Sequence, residues 1–214
     1  DAEYKLYQSV VLAALAIGFV MRPFFRSADI DSVAVLPFEN ATGDPRLDYL
    51  SDGMTDSLIN ALARLPELSV KARSMVFRYK SRQVDPREVA TALAVEGVVN
   101  GRLERHGERL VLFLALANGR DGNQDWGERY DSSMTDLVKL HEGVARDVAR
   151  TLHGRLSGEE EATVANAYTS SGEAYRLFLE GRWHVQRVAL PEVQKGIQLL
   201  EQATAIDPNY ALAY

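Results

Sequence analysis

The clearest pattern in the chain is a short apolar run, then a loop, then apolar residues at helical spacing. Val33, Val35 and Phe38 lie in a β-rich run, and the turn-forming segment 39–45 follows it. Four apolar residues then recur at every fourth position: Leu50, Met54, Leu58 and Leu62. This spacing places them on one helix face. Residues 32–65 therefore predict a buried strand, a loop and an amphipathic helix.

Beyond this block, strand and helix patterns alternate. Residues 68–73 predict a second short strand. Asp85 followed by Pro86 predicts the start of a helix, because Asp caps helix N-termini and Pro fits the first helical position. Further on, the apolar stripe of residues 135–156 predicts a long helix.

Between these helices the sequence predicts a hairpin and a third strand. The hairpin strands are residues 95–105 and 109–118, and the third strand carries Trp126 and Tyr130. Positions 110–116 are all apolar, which is typical of a central strand covered on both faces. We therefore predict an α/β domain over residues 32–156, with a mixed sheet flanked by helices.

The carboxyl-terminal part predicts a helix pair. Residues 157–171 are polar and predict a helical or flexible connector. The first predicted helix of the pair carries Ala174, Leu177, Phe178 and Gly181. The second begins at Pro191 and has the residue spacing of a second tetratricopeptide helix, at Gly196, Leu200, Ala203 and Pro208. We interpret residues 172–214 as the start of an all-α tetratricopeptide repeat region.

The amino-terminal segment, residues 1–31, contains the longest uncharged run. No charged residue occurs from Leu6 to Met21, and Phe24 and Phe25 extend the apolar character beyond Arg22. A membrane-spanning helix needs roughly 20 apolar residues. We therefore predict a single transmembrane helix over 6–25, with a buried helix of a soluble protein as the alternative. The flanking charges alone favour a cytoplasmic carboxyl-terminal side.

Composition excludes several function classes. The net charge of −6 disfavours nucleic-acid binding, which needs excess Lys and Arg, and the absence of cysteine excludes disulfides and Cys nucleophiles. The histidines lack metal-ligand spacing; they are His106, His141, His153 and His184. The sequence contains no G-x-S-x-G motif, P-loop or protein-kinase motif. We predict no catalytic residue, no metal site and no cofactor.

Three carboxylates, Asp48, Asp52 and Asp56, recur at every fourth position of the predicted helix. This spacing aligns them along one helix face. A calcium or magnesium site needs oxygen ligands that converge from a concave loop. The pattern therefore favours acidic charge near a helix N-terminus over metal binding.

Two groups of residues are candidate binding sites. Asn40, Thr42 and Asp44 follow the first strand, where α/β proteins commonly hold ligands; they form a candidate ligand or partner loop, although the composition also suits a plain turn. The second group is a candidate basic patch of Lys71, Arg73, Arg78, Lys80 and Arg82. This patch is a candidate for anionic lipid or single-stranded nucleic acid, and a solvated surface is the alternative.

Residues 32–156 resemble the TolB amino-terminal-like domain of bacterial signalling proteins. The resemblance rests on the segment 32–65 and on a later motif made of Trp126, Tyr130, Asp131, Asp136 and Leu137. Family members are typically membrane-anchored serine/threonine kinases, adenylate cyclases or CadC-like transcription activators, in which tetratricopeptide repeats follow the domain. The resemblance implies a single-pass inner-membrane protein with residues 32–214 in the periplasm, against the charge count.

Together, the pattern and the resemblance predict a non-catalytic extracytoplasmic sensor or protein-interaction region of a bacterial signalling protein. A protein partner would bind the TolB-like domain or the tetratricopeptide surface, and a homodimer is left open. One alternative is the regulatory tail of a kinase or adenylate cyclase whose catalytic domain lies upstream. A second alternative is a module that binds anionic lipid or nucleic acid.

Overall fold

A computed structural model describes residues 30–154 and 156–214. The predicted transmembrane helix over 6–25 lies outside the described residues. Within the described ranges, no helix combines the length and the apolar character needed to cross a membrane.

Strands and helices alternate in the first part of the chain, as the sequence pattern predicts. The strands are β1 (Ser32–Val35), β2 (Glu39–Asn40), β3 (Ser69–Val70), β4 (Gly97–His106), β5 (Arg109–Asn118) and β6 (Gln124–Ser133). The helices of this part are α1 (Asp48–Leu62), α2 (Arg73–Val76), α3 (Pro86–Leu93) and α4 (Leu137–His153), with 3-10 turns at Pro45–Leu47 and Phe77–Tyr79. The remaining helices are α5 (Gly158–Ala165), α6 (Gly172–Val185) and α7 (Leu190–Ile206), followed by a 3-10 turn at Ala211–Ala213.

The strands form one mixed sheet in the order β3-β1-β4-β5-β6, and β2 pairs with the far end of β4. Strand β1 is parallel to both β3 and β4, whereas β5 is antiparallel to both β4 and β6. The short turn at Gly107 joins β4 to β5 with Gly107 at φ +63°, a conformation that glycine adopts without strain. The prediction of a mixed α/β fold is confirmed.

Helices α1 and α4 cover one face of this sheet. The alternate residues Leu110, Leu112, Leu114 and Leu116 of β5 are nearly inaccessible to solvent. Leu112 pairs with Tyr130 on β6, and the Tyr130 hydroxyl donates a 3.0 Å hydrogen bond to Asp147 on α4. Since paired residues share a face, these leucines point toward the helices.

The opposite face of the sheet is only partly covered. Helix α3 packs at one end of it, where Ala90 approaches the backbone at Gly119 so closely that a Cβ atom there would lie 2.6 Å from the Ala90 methyl. Val111 is buried on this face, but Phe113 is 38% exposed. The prediction that β5 is covered on both faces is therefore wrong at Phe113, because no helix of the described chain packs over the middle of the strand.

The helix starts follow local chemistry. The Asp85 side chain accepts from the backbone N–H of Arg87 at 2.9 Å, so α3 begins where the sequence predicts. The polar connector contains α5, which begins with a reciprocal capping box between Ser157 and Glu160. Both helices of the predicted pair are present as α6 and α7. Their assignment to a tetratricopeptide repeat stays a prediction.

A buried histidine gives the fold an expected pH dependence. His141 on α4 is 7% exposed, with its Nδ1 3.1 Å from the Tyr175 hydroxyl on α6. Burial, and then the positive charge of Arg64, lower the pKa of His141 to about 4. The pKa of an unfolded histidine is about 6.5. Between these values the unfolded chain binds a proton that the folded chain does not, so stability falls as the pH falls.

We expect this histidine to remove up to about 1.4 kcal/mol of unfolding free energy per pH unit below pH 6.5. The measurement is urea unfolding between pH 7 and pH 4.5 for the unmodified chain and for His141→Asn. Asparagine keeps a polar partner for Tyr175 and does not titrate. If both proteins lose stability in parallel over this range, His141 does not cause the dependence.

Candidate functional site

A cleft with a volume of about 1200 Å³ opens on the partly covered face of the sheet. It begins beside the carboxyl end of β1, between the segments Leu36–Asn40 and Tyr79–Pro86, which we call the cleft walls. Its floor is formed by residues of β4, β5 and β6. Helix α3 and the Tyr79–Pro86 wall leave the middle of the sheet uncovered, and the cleft occupies that gap.

The centre of the floor is a cross-strand row of three residues. Arg102 on β4 pairs with Phe113 on β5, and Phe113 pairs with Arg129 on β6. Directly opposed residues have Cβ atoms about 4.5–5.5 Å apart, so an arginine lies on either side of the exposed Phe113. Arg102 is ion-paired with Glu104, and an Arg129 nitrogen lies 3.4 Å from Asp131. The row offers one aromatic surface between two cationic groups.

One cleft wall is fixed to the helix layer by an ion pair between a half-buried lysine and a buried carboxylate. Ser81 has φ +60°, and this tight turn separates Lys80 from Arg82. The Lys80 ammonium turns inward and lies 2.5 Å from Asp52 Oδ2 on α1. Arg82 is exposed. The wall thus contributes one anchored cation and one solvent-facing cation to the cleft.

The same Asp52 carboxylate also holds α6. Trp183 on α6 donates its indole N–H to Asp52 Oδ2 at 3.1 Å, while the buried Asp52 Oδ1 has no hydrogen-bond partner in the described part of the chain. One turn further along α1, Asp56 lies 2.5 Å from Arg182 and 3.8 Å from Arg73. These two buried carboxylates therefore connect α1, the cleft wall and α6.

The first candidate loop is closed by its own hydrogen bonds. Asn40 donates to the carbonyl of Asp44 at 3.0 Å and to Asp48 at 2.6 Å, and it accepts from the Thr42 hydroxyl at 2.6 Å. The Arg46 guanidinium and backbone N–H bind Asp44 and hold the pKa of that carboxyl below its ordinary value. Of the three candidates only Asn40 lines the cleft. Their role in ligand binding stays a prediction.

The candidate basic patch is divided by the fold. Lys80 and Arg82 line the cleft, whereas Lys71, Arg73 and Arg78 do not. The Arg73 guanidinium lies 3.6 Å from the centre of the Phe77 ring, and Arg78 Nε donates to the carbonyl of Met75 at 2.9 Å. The structure thus brings Asn40, Lys80 and Arg82 to one cavity and leaves the other candidates outside it.

Sequence reasoning missed the floor of the cleft. Arg102, Phe113 and Arg129 come from three different strands, and none of them lies in a recognisable motif. The available signal was the predicted hairpin, but its turn over residues 106–108 would set Arg102 opposite Leu112. The observed turn has two residues and pairs His106 with Arg109, and this shift by one position sets Arg102 opposite Phe113.

The chemistry of the cleft suits binding. No histidine lines it in the described ranges, and no group of three or more His, Asp or Glu side chains among those residues could hold a metal ion. Its lining mixes cations, carboxylates such as Glu39, amides such as Gln124 and the Phe113 ring. Such a surface can bind a polypeptide through one aromatic contact and several charged or amide groups.

No protein-family model matches the sequence. The chain is 31% identical over 183 residues to a protein of Rhizobium meliloti (strain 1021) that carries the provisional name adenylate cyclase 3. The match covers 86% of this chain and 31% of that protein. The chain therefore spans less than a third of this relative.

Among solved structures, the chain is similar to TolB from Acinetobacter baumannii with a TM-score of 0.44 and 14% identity, over 59% of this chain and 29% of that one. It is similar to the lipoprotein GNA1162 from Neisseria meningitidis with a TM-score of 0.42 and 18% identity, over 57% of this chain and 99% of that one. The LpoB carboxyl-terminal domain from Escherichia coli gives a TM-score of 0.41 and 15% identity, over 50% of this chain and 86% of that one.

Proposed function

We propose that this chain is the non-catalytic sensor and protein-interaction region of a membrane-anchored bacterial signalling protein, and that its cleft binds a polypeptide segment of a partner. The observation that carries the proposal is the exposed Phe113 between Arg102 and Arg129 on the cleft floor. Aromatic and arginine side chains supply a large share of the binding energy in protein interfaces.

The size of the cleft favours a polypeptide over a small ligand. Its volume of about 1200 Å³ exceeds the roughly 300–1,000 Å³ of typical small-molecule sites. Small-molecule sites are also mostly apolar, whereas this lining mixes charges, amides and one exposed ring. The proposal places residues 32–214 in the periplasm, after a transmembrane helix over 6–25, as the resemblance to membrane-anchored TolB-like proteins implies.

A second candidate is the regulatory region of an enzyme, and the Rhizobium relative favours it. The match covers 31% of a protein named as an adenylate cyclase, which leaves more than two thirds of that protein outside the aligned region. In this version the partner segment in the cleft would regulate a catalytic domain of the same protein. Both candidates assign the same binding role to the cleft.

Lipid or nucleic-acid binding is less favoured by the contacts of the basic patch. Lys80 and Arg73 lie beside the buried carboxylates Asp52 and Asp56. An anionic ligand would have to compete with these neighbours for both cations. The cleft proposal does not need either cation to leave its carboxylate.

We expect a photo-activated cross-linker at position 113 to capture a discrete protein partner in intact cells, because Phe113 lies on the open floor. The matched control carries the cross-linker at Met75, which is similarly exposed but does not line the cleft. Phe113→Ala should then weaken binding of the identified partner roughly 10- to 100-fold, as measured by titration calorimetry. Equal capture at both positions, or unchanged affinity of the alanine variant, would contradict the proposal.

A further inference from the structure

Strand β6 forms one end of the sheet. It is ten residues long, it pairs with β5 on one side, and no strand of the described chain pairs with its other side. Most of its residues are exposed. A long exposed edge presents unpaired backbone N–H and C=O groups and can accept another strand.

The residues of β6 carry only part of the usual protection of an edge, a β-bulge near Trp126 and several charged side chains. Proteins block edge strands with proline, with lysine or by keeping them very short. Residues 124–133 contain neither proline nor lysine. They carry four charges, at Asp125, Glu128, Arg129 and Asp131. Arg129 and Asp131 have opposite signs and lie two positions apart, so they share one sheet face.

We propose that two copies of this chain pair antiparallel along β6, with Tyr130 facing Tyr130 across a two-fold axis. In this register, Arg129 of each copy faces Asp131 of the other copy. Opposite charges in directly opposed cross-strand positions stabilise a pair, and the symmetry makes the contact twice.

Neighbouring registers are disfavoured by charge. An axis at position 129 sets arginine against arginine, and an axis at position 131 sets aspartate against aspartate. Both contacts are repulsive. An axis between two residues would oppose side chains from different faces of the sheet, which the alternation of a strand does not allow. An axis at position 127 would set Arg129 against Asp125, but Asp125 lies at the β-bulge between the Leu116–Trp126 and Ala117–Gln124 pairs, outside the regular alternation. Within the regular part of β6, the charge pattern therefore selects the register centred on Tyr130.

This pairing has a geometric consequence for the cleft. The two-fold axis is perpendicular to the joined sheet, so the helices of both copies lie on one side and both clefts open on the other. The β5 strand of one copy and the β5 strand of the other copy are then three strand spacings apart, with a spacing of about 4.8 Å. If the proposed function of the cleft holds, the dimer presents two partner sites side by side.

The chain contains no cysteine, so single introduced cysteines report the register directly. The test uses the full 214-residue chain with Arg129→Cys in one preparation and Asp131→Cys in another. Opposed cross-strand Cβ atoms lie close enough for a disulfide. We expect mild oxidation of the mixture to give a disulfide-linked dimer, and either preparation alone to give little. The mixed dimer also keeps one Arg129–Asp131 contact.

Glu108→Cys is the background control, because this side chain is exposed on the β4–β5 turn, away from the edge. Cross-linking of the mixture no higher than this background would overturn the proposal. Efficient cross-linking of Arg129→Cys alone would show another register and would also overturn it. Far-UV circular dichroism establishes that each variant is folded.

A charge-reversal experiment tests the same contact without cross-linking. Arg129→Asp alone and Asp131→Arg alone should each associate roughly tenfold more weakly than the unmodified chain, because each sets like charges against each other twice. A mixture of the two should recover association, as measured by sedimentation equilibrium. Equal association of the unmodified chain, the two single variants and their mixture would exclude this contact. Capture of a partner at position 113 is a separate readout, so failure of the dimer leaves the cleft proposal testable.

Discussion

Gly196→Ala is expected to destabilise the helix pair strongly, because α6 and α7 cross at a pair of glycines. A Cβ atom at position 196 would lie 2.7 Å from the Gly181 carbonyl oxygen and 2.6 Å from a Val185 methyl group. The clash could be relieved only by moving α6 and α7 apart, and this movement would disrupt the packing between them. We expect a loss of about 2–3 kcal/mol in the free energy of unfolding. Urea unfolding followed by the combined fluorescence of Trp126 and Trp183 measures it.

The matched control for this substitution is Gly143→Ala on α4. A Cβ atom there has no neighbour within 4 Å, so alanine should be neutral or should stabilise the chain by about 0.4–1 kcal/mol. Gly181→Ala tests the contact from the other side. Because both substitutions push the same two backbones apart, their effects should not add. A stability of Gly196→Ala equal to that of Gly143→Ala would show that the helices do not cross here.

The close crossing of these helices could be predicted from the sequence, because small residues at helical spacing allow two backbones to approach. The contact of α6 with α1 could not. At Gly53 of α1, an added Cβ atom would lie 3.0 Å from Leu179 of α6. More than a hundred residues separate these positions, and a lone glycine in a helix gives no signal of what packs against it.

The sheet shows a similar division. Apolar runs and turn residues predict β4, β5 and the hairpin between them. The pairing of Arg102 with Phe113 follows only from the observed two-residue turn, which differs by one position from the predicted turn over residues 106–108. Which face stays open depends on where α3 and the wall Tyr79–Pro86 pack. That packing is decided by distant contacts such as the Lys80–Asp52 ion pair. The sequence therefore shows the residue types of the cleft floor, whereas their exact register and their exposure depend on the folded structure.

The carboxylates of α1 illustrate why charge patterns mislead. Asp52 and Asp56 have the spacing of a solvated helix face, yet each is only 6% exposed. Burial is tolerated because Lys80, Arg182 and Trp183 reach them from two other elements. Without these partners, a buried carboxylate would cost several kcal/mol. The pairing depends on tertiary structure, so helical periodicity alone gives the wrong environment.

Asp52→Ala is expected to loosen the cleft wall and α6 together, because one carboxylate oxygen accepts from both Lys80 and Trp183. Breaking a buried ion pair costs about 3–5 kcal/mol when the remaining charge stays buried. The Lys80 side chain is 35% exposed and can be rehydrated, so we expect a smaller loss of about 2–3 kcal/mol. Urea unfolding measures this loss. The rate of backbone amide hydrogen exchange should rise in residues 77–86 and also in residues 172–185.

Double-mutant cycles separate the two contacts. Asp52→Ala combined with Lys80→Met tests the wall, and Asp52→Ala combined with Trp183→Phe tests α6. Each cycle should give a coupling above about 0.5 kcal/mol, since each single change removes the same hydrogen bond as the double change. Additive effects of Asp52→Ala and Trp183→Phe would show that α6 is held independently of Asp52. Coupling in both cycles would mean that the Asp52 carboxylate holds the Lys80 wall and α6 at the same time.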